Sequence, residues 1–182
     1  MFSLFAMHNV RLRQIDKTKK KVSIDSSAAK LHVDLTGEWR SDETKPQFGG
    51  VVPFPKGKIL FEADFPLLLG GEGRAPTPLA YCFYGAMCCY ASTFATQAAL
   101  VGVEIQSLSI SLRLDVDFRT ALGVGDFPPV SSFDFLVEVK TSASDAQVQK
   151  VKILADKRCP AIWAMDHKVP YTTAVRKSSS KK

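Results

Sequence analysis

Histidine and cysteine are scarce in this sequence, and their positions exclude the common metal sites. The 182 residues include three histidines and four cysteines. The histidines show no ligand spacing relative to the cysteines, and no Cys-x-x-Cys pair is present, so a structural zinc site is not expected. We therefore expect no metal and no bound cofactor.

The low cysteine content also argues against a secreted disulfide scaffold, because small extracellular domains are usually rich in cysteine. No charged segment followed by an apolar run and a small-residue cleavage site is recognisable at the start of the sequence. These features predict a cytoplasmic protein with reduced thiols. The length suits one domain with a sizeable core, which we place at residues 1–182.

The basic character of the chain comes mainly from two short segments. The formal net charge is +6, and the excess of lysine and arginine is concentrated in residues 16–21 and 176–182. A terminal basic segment is usually a solvated end, so we expect residues 177–182 to be a disordered tail. The rest of the chain lacks the basic surface of a nucleic-acid-binding domain, and no nucleic-acid partner is expected.

Residues 75–103 form the longest stretch without a charged side chain. A membrane-spanning helix needs about 20 apolar residues, so the length alone would suffice. Pro76, Pro78 and the hydroxyl and amide side chains within the stretch argue against membrane insertion. We predict instead a helix from Pro78 to Gly102 that is buried on most sides, because proline suits the first turn and glycine the C-terminal cap.

Alternating apolar and polar residues predict strands after this helix, at 107–119 and 132–140. Weaker alternation predicts strands at 10–15, 21–24 and 31–35, so that residues 1–38 supply N-terminal strands, and a last strand at 169–173. Helices are predicted at 145–157, capped by Ser142 or Ser144, and from Pro160. The segments 45–57, 69–78 and 122–129 contain glycine and proline and are predicted as loops.

This order of elements predicts an α+β fold in which helices pack on antiparallel sheets. The central helix has no polar face to present to solvent. We therefore expect a second copy of the chain to cover it, giving a homodimer built around residues 75–103.

The four cysteines differ in their local surroundings. Cys82, Cys88 and Cys89 lie on the apolar helix, where a cysteine is usually a small core residue. Cys159 precedes Pro160 at a predicted helix start and follows Lys157 and Arg158, and these conditions favour a thiolate. From the residues alone, Cys159 is the best candidate for a reactive thiol.

Several short stretches follow one another in a distinctive order: Asp64-Phe65-Pro66, Leu69-Gly70-Gly71, Ala75-Pro76-Thr77-Pro78, the helix that carries Cys89, Asp117-Phe118-Arg119, Leu122-Gly123 and Cys159-Pro160. Their order and spacing are more specific than any single motif. Together they resemble the OsmC/Ohr family of thiol-dependent peroxidases, and the resemblance covers roughly residues 39–175. In the family, the spacing from the first cysteine to the glycine that ends its helix selects Cys89, with Gly102 as that glycine.

The resemblance implies an OsmC-like fold and an intertwined homodimer with two active sites at the subunit interface. It also implies that Cys89 attacks an organic hydroperoxide, releases an alcohol and becomes a sulfenic acid. Cys159 would then form a disulfide with Cys89, and an external dithiol, such as a lipoyl or thioredoxin-like protein, would reduce it. Apolar side chains could line a substrate pocket or fill the core; they are Phe83, Tyr84, Met87, Tyr90, Phe94, Trp163 and Met165.

One departure from the family concerns the glutamate that usually follows the proline at the helix start and orients an arginine beside the thiolate. The matching position here is Ala80, and Glu62 or Glu72 are candidates to replace it. A cysteine in the middle of a helix gains nothing from the terminus of that helix, so a nearby cation is needed to lower its pKa. The candidate cations are Arg11, Arg13, Arg40 and Arg119.

Two further alternatives follow from the same residues. Cys82 or Cys88 could compete with Cys159 as the resolving thiol. The loss of the glutamate also allows a non-catalytic or ligand-binding OsmC-like protein that keeps an apolar pocket at the dimer interface.

Overall fold

The structure is a computed structural model and describes residues 7–177. Its helices are α1 (Leu12–Ile24), α2 (Pro78–Leu100), α3 (Asp145–Arg158) and α4 (Pro160–Asp166). Its strands are β1 (Thr36–Trp39), β2 (Phe48–Phe54), β3 (Gly57–Ala63), β4 (Ser107–Val116) and β5 (Val130–Lys140), and short 3-10 turns lie at Ser26–Ala29 and Leu67–Leu69.

The strands form two antiparallel sheets, ordered β1-β2-β3 and β4-β5. In the second sheet Leu112 pairs with Phe135, and exposed and half-buried residues alternate along both strands. This alternation turns one face of the sheet toward α2, as the sequence pattern predicts for half-buried strands. The α+β architecture with antiparallel sheets is therefore confirmed.

Helix α2 packs against α3, α4 and β4. Thr77 caps its start by accepting a hydrogen bond from the Ala80 amide, and Pro78 occupies its first turn. Gly102 follows its end with a φ of 75°, a left-handed conformation that suits glycine. The predicted helix is confirmed, but the expected burial on most sides is not, because Cys82, Tyr84 and Cys88 are exposed in the single chain. No helix within residues 7–177 combines the length and the apolar character that crossing a membrane requires.

The core lies where one face of α2 meets α3. Side chains spaced three or four residues apart on α2 are buried there, and so are two positions of α3 and the following Cys159; they are Ala86, Tyr90, Phe94, Ala98, Val151, Ala155 and Cys159. A capping box between Ser144 and Gln147 starts α3. The predicted helices at 145–157 and from Pro160 are both confirmed, and they position Cys159 at their junction.

The prediction of N-terminal strands at 10–15 and 21–24 was wrong, because this segment forms α1. Its apolar residues Leu12, Ile15 and Val22 share one helix face and are half-buried, and the lysines between them are good helix formers. The predicted strand at 31–35 is also wrong: those residues are unpaired, and β1 begins at Thr36. Of the described residues 7–38, only Thr36–Glu38 contribute to a strand, and residues 1–6 lie outside the described part.

The predicted loop at 45–57 instead contains β2, and β3 follows it. Gly50 is needed there, because a Cβ would collide with the Thr36 carbonyl, and a Cβ at Gly49 would displace the Arg40 guanidinium. Pro53 lies beyond the end of β1, so its missing N–H interrupts no pairing on that side. The loops predicted at 69–78 and 122–129 are confirmed in their central parts.

The predicted last strand at 169–173 was also wrong. Within the described residues this segment is exposed and belongs to no sheet. Alternation alone does not form a strand without a neighbouring edge to pair with. The basic tail lies outside the described residues except for Lys177, which is exposed.

Candidate active site

The fold brings together Cys89, in the middle of α2, and Cys159, at the junction of α3 and α4. Their Sγ atoms are 3.6 Å apart, with the Cys159 thiol donating to Cys89. A disulfide bond is about 2.05 Å long, so both residues are free thiols here and need only a small approach to bond. All four cysteines are described, and this is the thiol pair in hydrogen-bonding contact.

The two thiols differ in their access to solvent. Cys159 is 0% exposed, whereas Cys89 is half-buried. A reagent from solution therefore reaches Cys89 before Cys159. Residue chemistry alone favoured Cys159 as the reactive thiol, but its side chain makes no capping hydrogen bond to α4. Its full burial also keeps a reagent in solution from reaching it directly.

The surroundings of Cys89 change the pKa of its thiol in opposite directions. Burial raises the pKa of its thiol, and the neighbouring Cys159 thiol adds to that effect. The backbone N–H of Ala161 donates to the Cys89 sulfur and lowers the pKa in part. Sequence reasoning missed this amide because it comes from the first turn of α4, a different helix from the one that carries Cys89.

The other two cysteines are both exposed on α2. Cys88 hydrogen-bonds with the Tyr84 hydroxyl, which raises the pKa of Tyr84. The sulfur of Cys89 contacts Cys159 instead, so the geometry favours Cys159 over Cys88 as its partner.

One candidate arginine for lowering the pKa of Cys89 is paired with one candidate glutamate for orienting it. Arg40 Nη1 lies 2.5 Å from Glu62 Oε1, joining the end of β1 to β3. Tyr81, in the first turn of α2, donates its hydroxyl to the Glu62 carbonyl at 2.9 Å and packs on Phe61. The pair therefore lies beside the part of α2 that carries Ala80, where the family glutamate is missing.

The other candidate arginines and the other candidate glutamate either pair with different residues or are exposed to solvent. Arg119 pairs with Asp117 at 2.6 Å and stacks on Phe127. Glu72 pairs with Arg74. Arg11 and Arg13 are exposed at the start of α1.

Two neighbouring apolar clefts have volumes of about 590 and 430 Å³, and the smaller one opens beside the first turn of α2. They share Leu68, Phe118 and Leu122, and Cys89 lines neither. The aromatic residues proposed to line a pocket separate into two groups. Tyr90 and Phe94 belong to the core, whereas Tyr84 and Trp163 are exposed.

The family model for "OsmC-like protein" matches residues 71–174, which is more than half of the chain. The chain belongs to this family. The match includes α2, both candidate thiols and the β4-β5 sheet. No curated protein matches the OsmC-like chain in sequence.

Solved structures share the fold at low sequence identity. An OsmC-like protein from Mycoplasma pneumoniae has a TM-score of 0.58 and 16% identity, over 75% of this chain and 88% of that one. An organic hydroperoxide resistance protein from Legionella pneumophila has a TM-score of 0.54 and 16% identity, over 75% and 91%. A putative osmotic stress and detoxification protein from Psychrobacter arcticus has a TM-score of 0.56 and 13% identity, over 74% and 89%. These likenesses establish the OsmC-like fold.

Proposed function

We propose that this protein is a thiol-dependent peroxidase that reduces organic hydroperoxides to alcohols. The observation that carries the proposal is the 3.6 Å separation of the Cys89 and Cys159 sulfurs, with only Cys89 accessible to solvent. Membership of the OsmC-like family supports it, and so does the name of the Legionella pneumophila protein that shares the fold.

In the proposed cycle the Cys89 thiolate attacks the terminal oxygen of the hydroperoxide. The O–O bond breaks, the alkoxide takes a proton to become the alcohol, and Cys89 becomes a sulfenic acid. The Cys159 thiol then attacks the sulfenic sulfur, forming a disulfide and releasing water. An external dithiol, such as a lipoyl or thioredoxin-like protein, restores both thiols and is itself oxidised.

The protein is proposed to act as a homodimer. On the β1-β2-β3 sheet, Val51 and Leu60 pair with each other on the face that carries Glu62, and they are 41% and 55% exposed in a single chain. An apolar surface of this kind on a soluble domain usually contacts a partner. We propose that a second copy covers it, and that the Arg40–Glu62 pair of one copy then approaches Cys89 of the other.

In this arrangement Glu62 takes the role of the missing family glutamate, and Arg40 is the cation that lowers the pKa of Cys89. Replacing Arg40 by methionine is expected to slow peroxide reduction about tenfold to a hundredfold at pH 7, because an opposite charge shifts a pKa by about one to three units. Without the cation the pKa of Cys89 rises, so the inflection of the pH–rate profile should move to higher pH. Stopped-flow oxidation across the pH range measures both effects.

Arg74→Met is the matched control, since Arg74 also pairs with a glutamate but is not assigned to the site. This variant should keep the parental pH–rate profile of peroxide reduction. If Arg40→Met also keeps it, Arg40 is not the activating cation.

Stepwise addition of cumene hydroperoxide to the reduced protein tests the proposed function directly. One equivalent should oxidise one pair of thiols per chain and yield cumyl alcohol. Peptide mapping by mass spectrometry should then identify a Cys89–Cys159 disulfide, which dithiothreitol removes. A disulfide that joins Cys82 or Cys88 instead would contradict the proposed pairing, and unchanged thiols would contradict the peroxidase itself.

A second candidate function is the binding of an apolar ligand without catalysis. The raised pKa of Cys89 and the absence of a carboxylate at Ala80 favour it, since both reduce thiolate formation. The same titration separates the two functions, because a binding protein would keep its thiols reduced after exposure to the hydroperoxide.

A further inference from the structure

Two polar contacts join α2 to the last turn of α3, just before the junction that carries Cys159. The Tyr90 hydroxyl donates to Asp156 Oδ1 at 2.6 Å, and Arg158 Nη1 donates to Gln97 Oε1 at 2.5 Å. Tyr90 directly follows Cys89, and Arg158 directly precedes Cys159. Each contact therefore includes the immediate neighbour of one of the two thiols.

Both α2 partners are buried within an otherwise apolar face. Tyr90 is 4% and Gln97 is 6% exposed. A buried polar group needs a hydrogen-bonding partner, and an unpaired one costs stability, so each of these side chains holds α3 in one position. Tyr90 and Gln97 are about 10 Å apart along α2, so two separate points fix α3 against both sliding and rotation.

The charged partner in the first contact is also fixed on α3. Lys152 lies one turn before Asp156 and binds its second oxygen at 2.7 Å. Burial and the Asp156 carboxylate raise the pKa of Tyr90, so its hydroxyl stays protonated and remains a donor. On a helical wheel Cys159 falls between Asp156 and Arg158, so the two contacts flank it.

We infer that the Tyr90–Asp156 and Arg158–Gln97 contacts are positioning elements that hold the Cys159 thiol within bonding range of Cys89. The inference rests on the proposed redox function of this pair and assigns residues to its resolving step. Reacting atoms about 3 to 3.5 Å apart gain most from being held in place, and the thiols lie close to that range. Without the contacts, the reduced protein samples longer thiol separations, and disulfide formation must first restore the native one.

The test is the equilibrium between the reduced protein and its Cys89–Cys159 disulfide in dithiothreitol buffers, read by alkylation and mass spectrometry. Tyr90→Phe removes only a hydroxyl, and we expect it to lower the equilibrium constant for disulfide formation about tenfold, or about 30 mV. Asp156→Leu should have the same effect, and Asp156→Asn should restore most of the parental value because it keeps an oxygen acceptor. The Tyr90→Phe/Asp156→Leu double variant should match either single variant, since each single substitution already removes the Tyr90–Asp156 contact.

Tyr81→Phe is the matched control, because it removes a tyrosine hydroxyl from the same helix that contacts β3 instead of α3. It should leave the equilibrium unchanged. A purely structural role for Tyr90 would lower thermal stability while the disulfide equilibrium stays parental, and that result would overturn the inference. An equal shift in Tyr81→Phe would also overturn it. If Tyr90→Phe does not fold, Asp156→Leu provides the same test. Asp156 is only half-buried, so its substitution disturbs the core less.

The equilibrium does not depend on peroxide reduction, so the two proposals can fail separately. A parent protein that forms the disulfide but consumes no hydroperoxide would contradict the peroxidase and leave the positioning role measurable. If the parent is active, Tyr90→Phe should form the sulfenic acid at the parental rate and close the disulfide about tenfold more slowly.

Discussion

Cys89→Ser is expected to abolish the consumption of organic hydroperoxide, with a rate lower by about a thousandfold or more. A serine hydroxyl is not deprotonated near neutral pH and does not pass through a sulfenic acid, so the substituted side chain cannot complete the first step. Cys159 lies beside the site but is fully buried, so it cannot take over the attack. The measurement is the loss of cumene hydroperoxide over time with dithiothreitol as the reductant.

Cys159→Ser should behave differently, because it keeps the attacking thiol and loses the resolving one. It should consume about one equivalent of peroxide and accumulate a sulfenic acid that dimedone traps. Cys82→Ser, at an exposed position of the same helix, is the control and should turn over like the parent. Retention of the parental rate by Cys89→Ser, or its loss in Cys82→Ser, would contradict the assignment of Cys89.

The candidate thiols could be chosen from the sequence only through the family resemblance. Local chemistry ranked Cys159 first, because it precedes a helix start and follows two basic residues. Its burial depends on how α3 and α4 pack on α2, and that packing is not visible in a local pattern. The Ala161 amide and the Tyr90–Asp156 contact are non-local for the same reason, and no sequence signal predicts them.

The predictability of the fold differed between its two halves. From Pro78 to Asp166 the elements have clear periods and recognisable caps, and all five were predicted. Before Pro78, β2 contains Gly49, Gly50 and Pro53, which in sequence indicate a loop. These glycines instead allow close contact with Arg40 and the β1 backbone. Helix α1 was misread because short stretches of its sequence also fit an alternating pattern.

Phe94→Ala is expected to lower the free energy of unfolding by about 3 to 5 kcal/mol, the usual cost of removing a buried aromatic ring. Phe94 is 2% exposed and packs in the cluster that contains Tyr90, Val151 and Ala155. The loss of its ring leaves a cavity between α2 and α3 that neighbouring side chains fill only in part. Denaturant unfolding of the reduced protein, at one fixed protein concentration, gives the value.

Ile153→Ala is the control on α3, since Ile153 is 63% exposed, and it should change stability by less than about 1 kcal/mol. The sequence allowed Phe94 either to fill the core or to line a substrate pocket, and the comparison also distinguishes these two roles. A core residue supports the helix packing that aligns the thiols, so its loss should appear mainly as reduced stability. If Phe94 lined a substrate pocket, truncation would raise KM for the hydroperoxide and change stability no more than Ile153→Ala does. A small stability change in Phe94→Ala would therefore contradict the packing of α3 on α2 from which the geometry of the thiol pair follows.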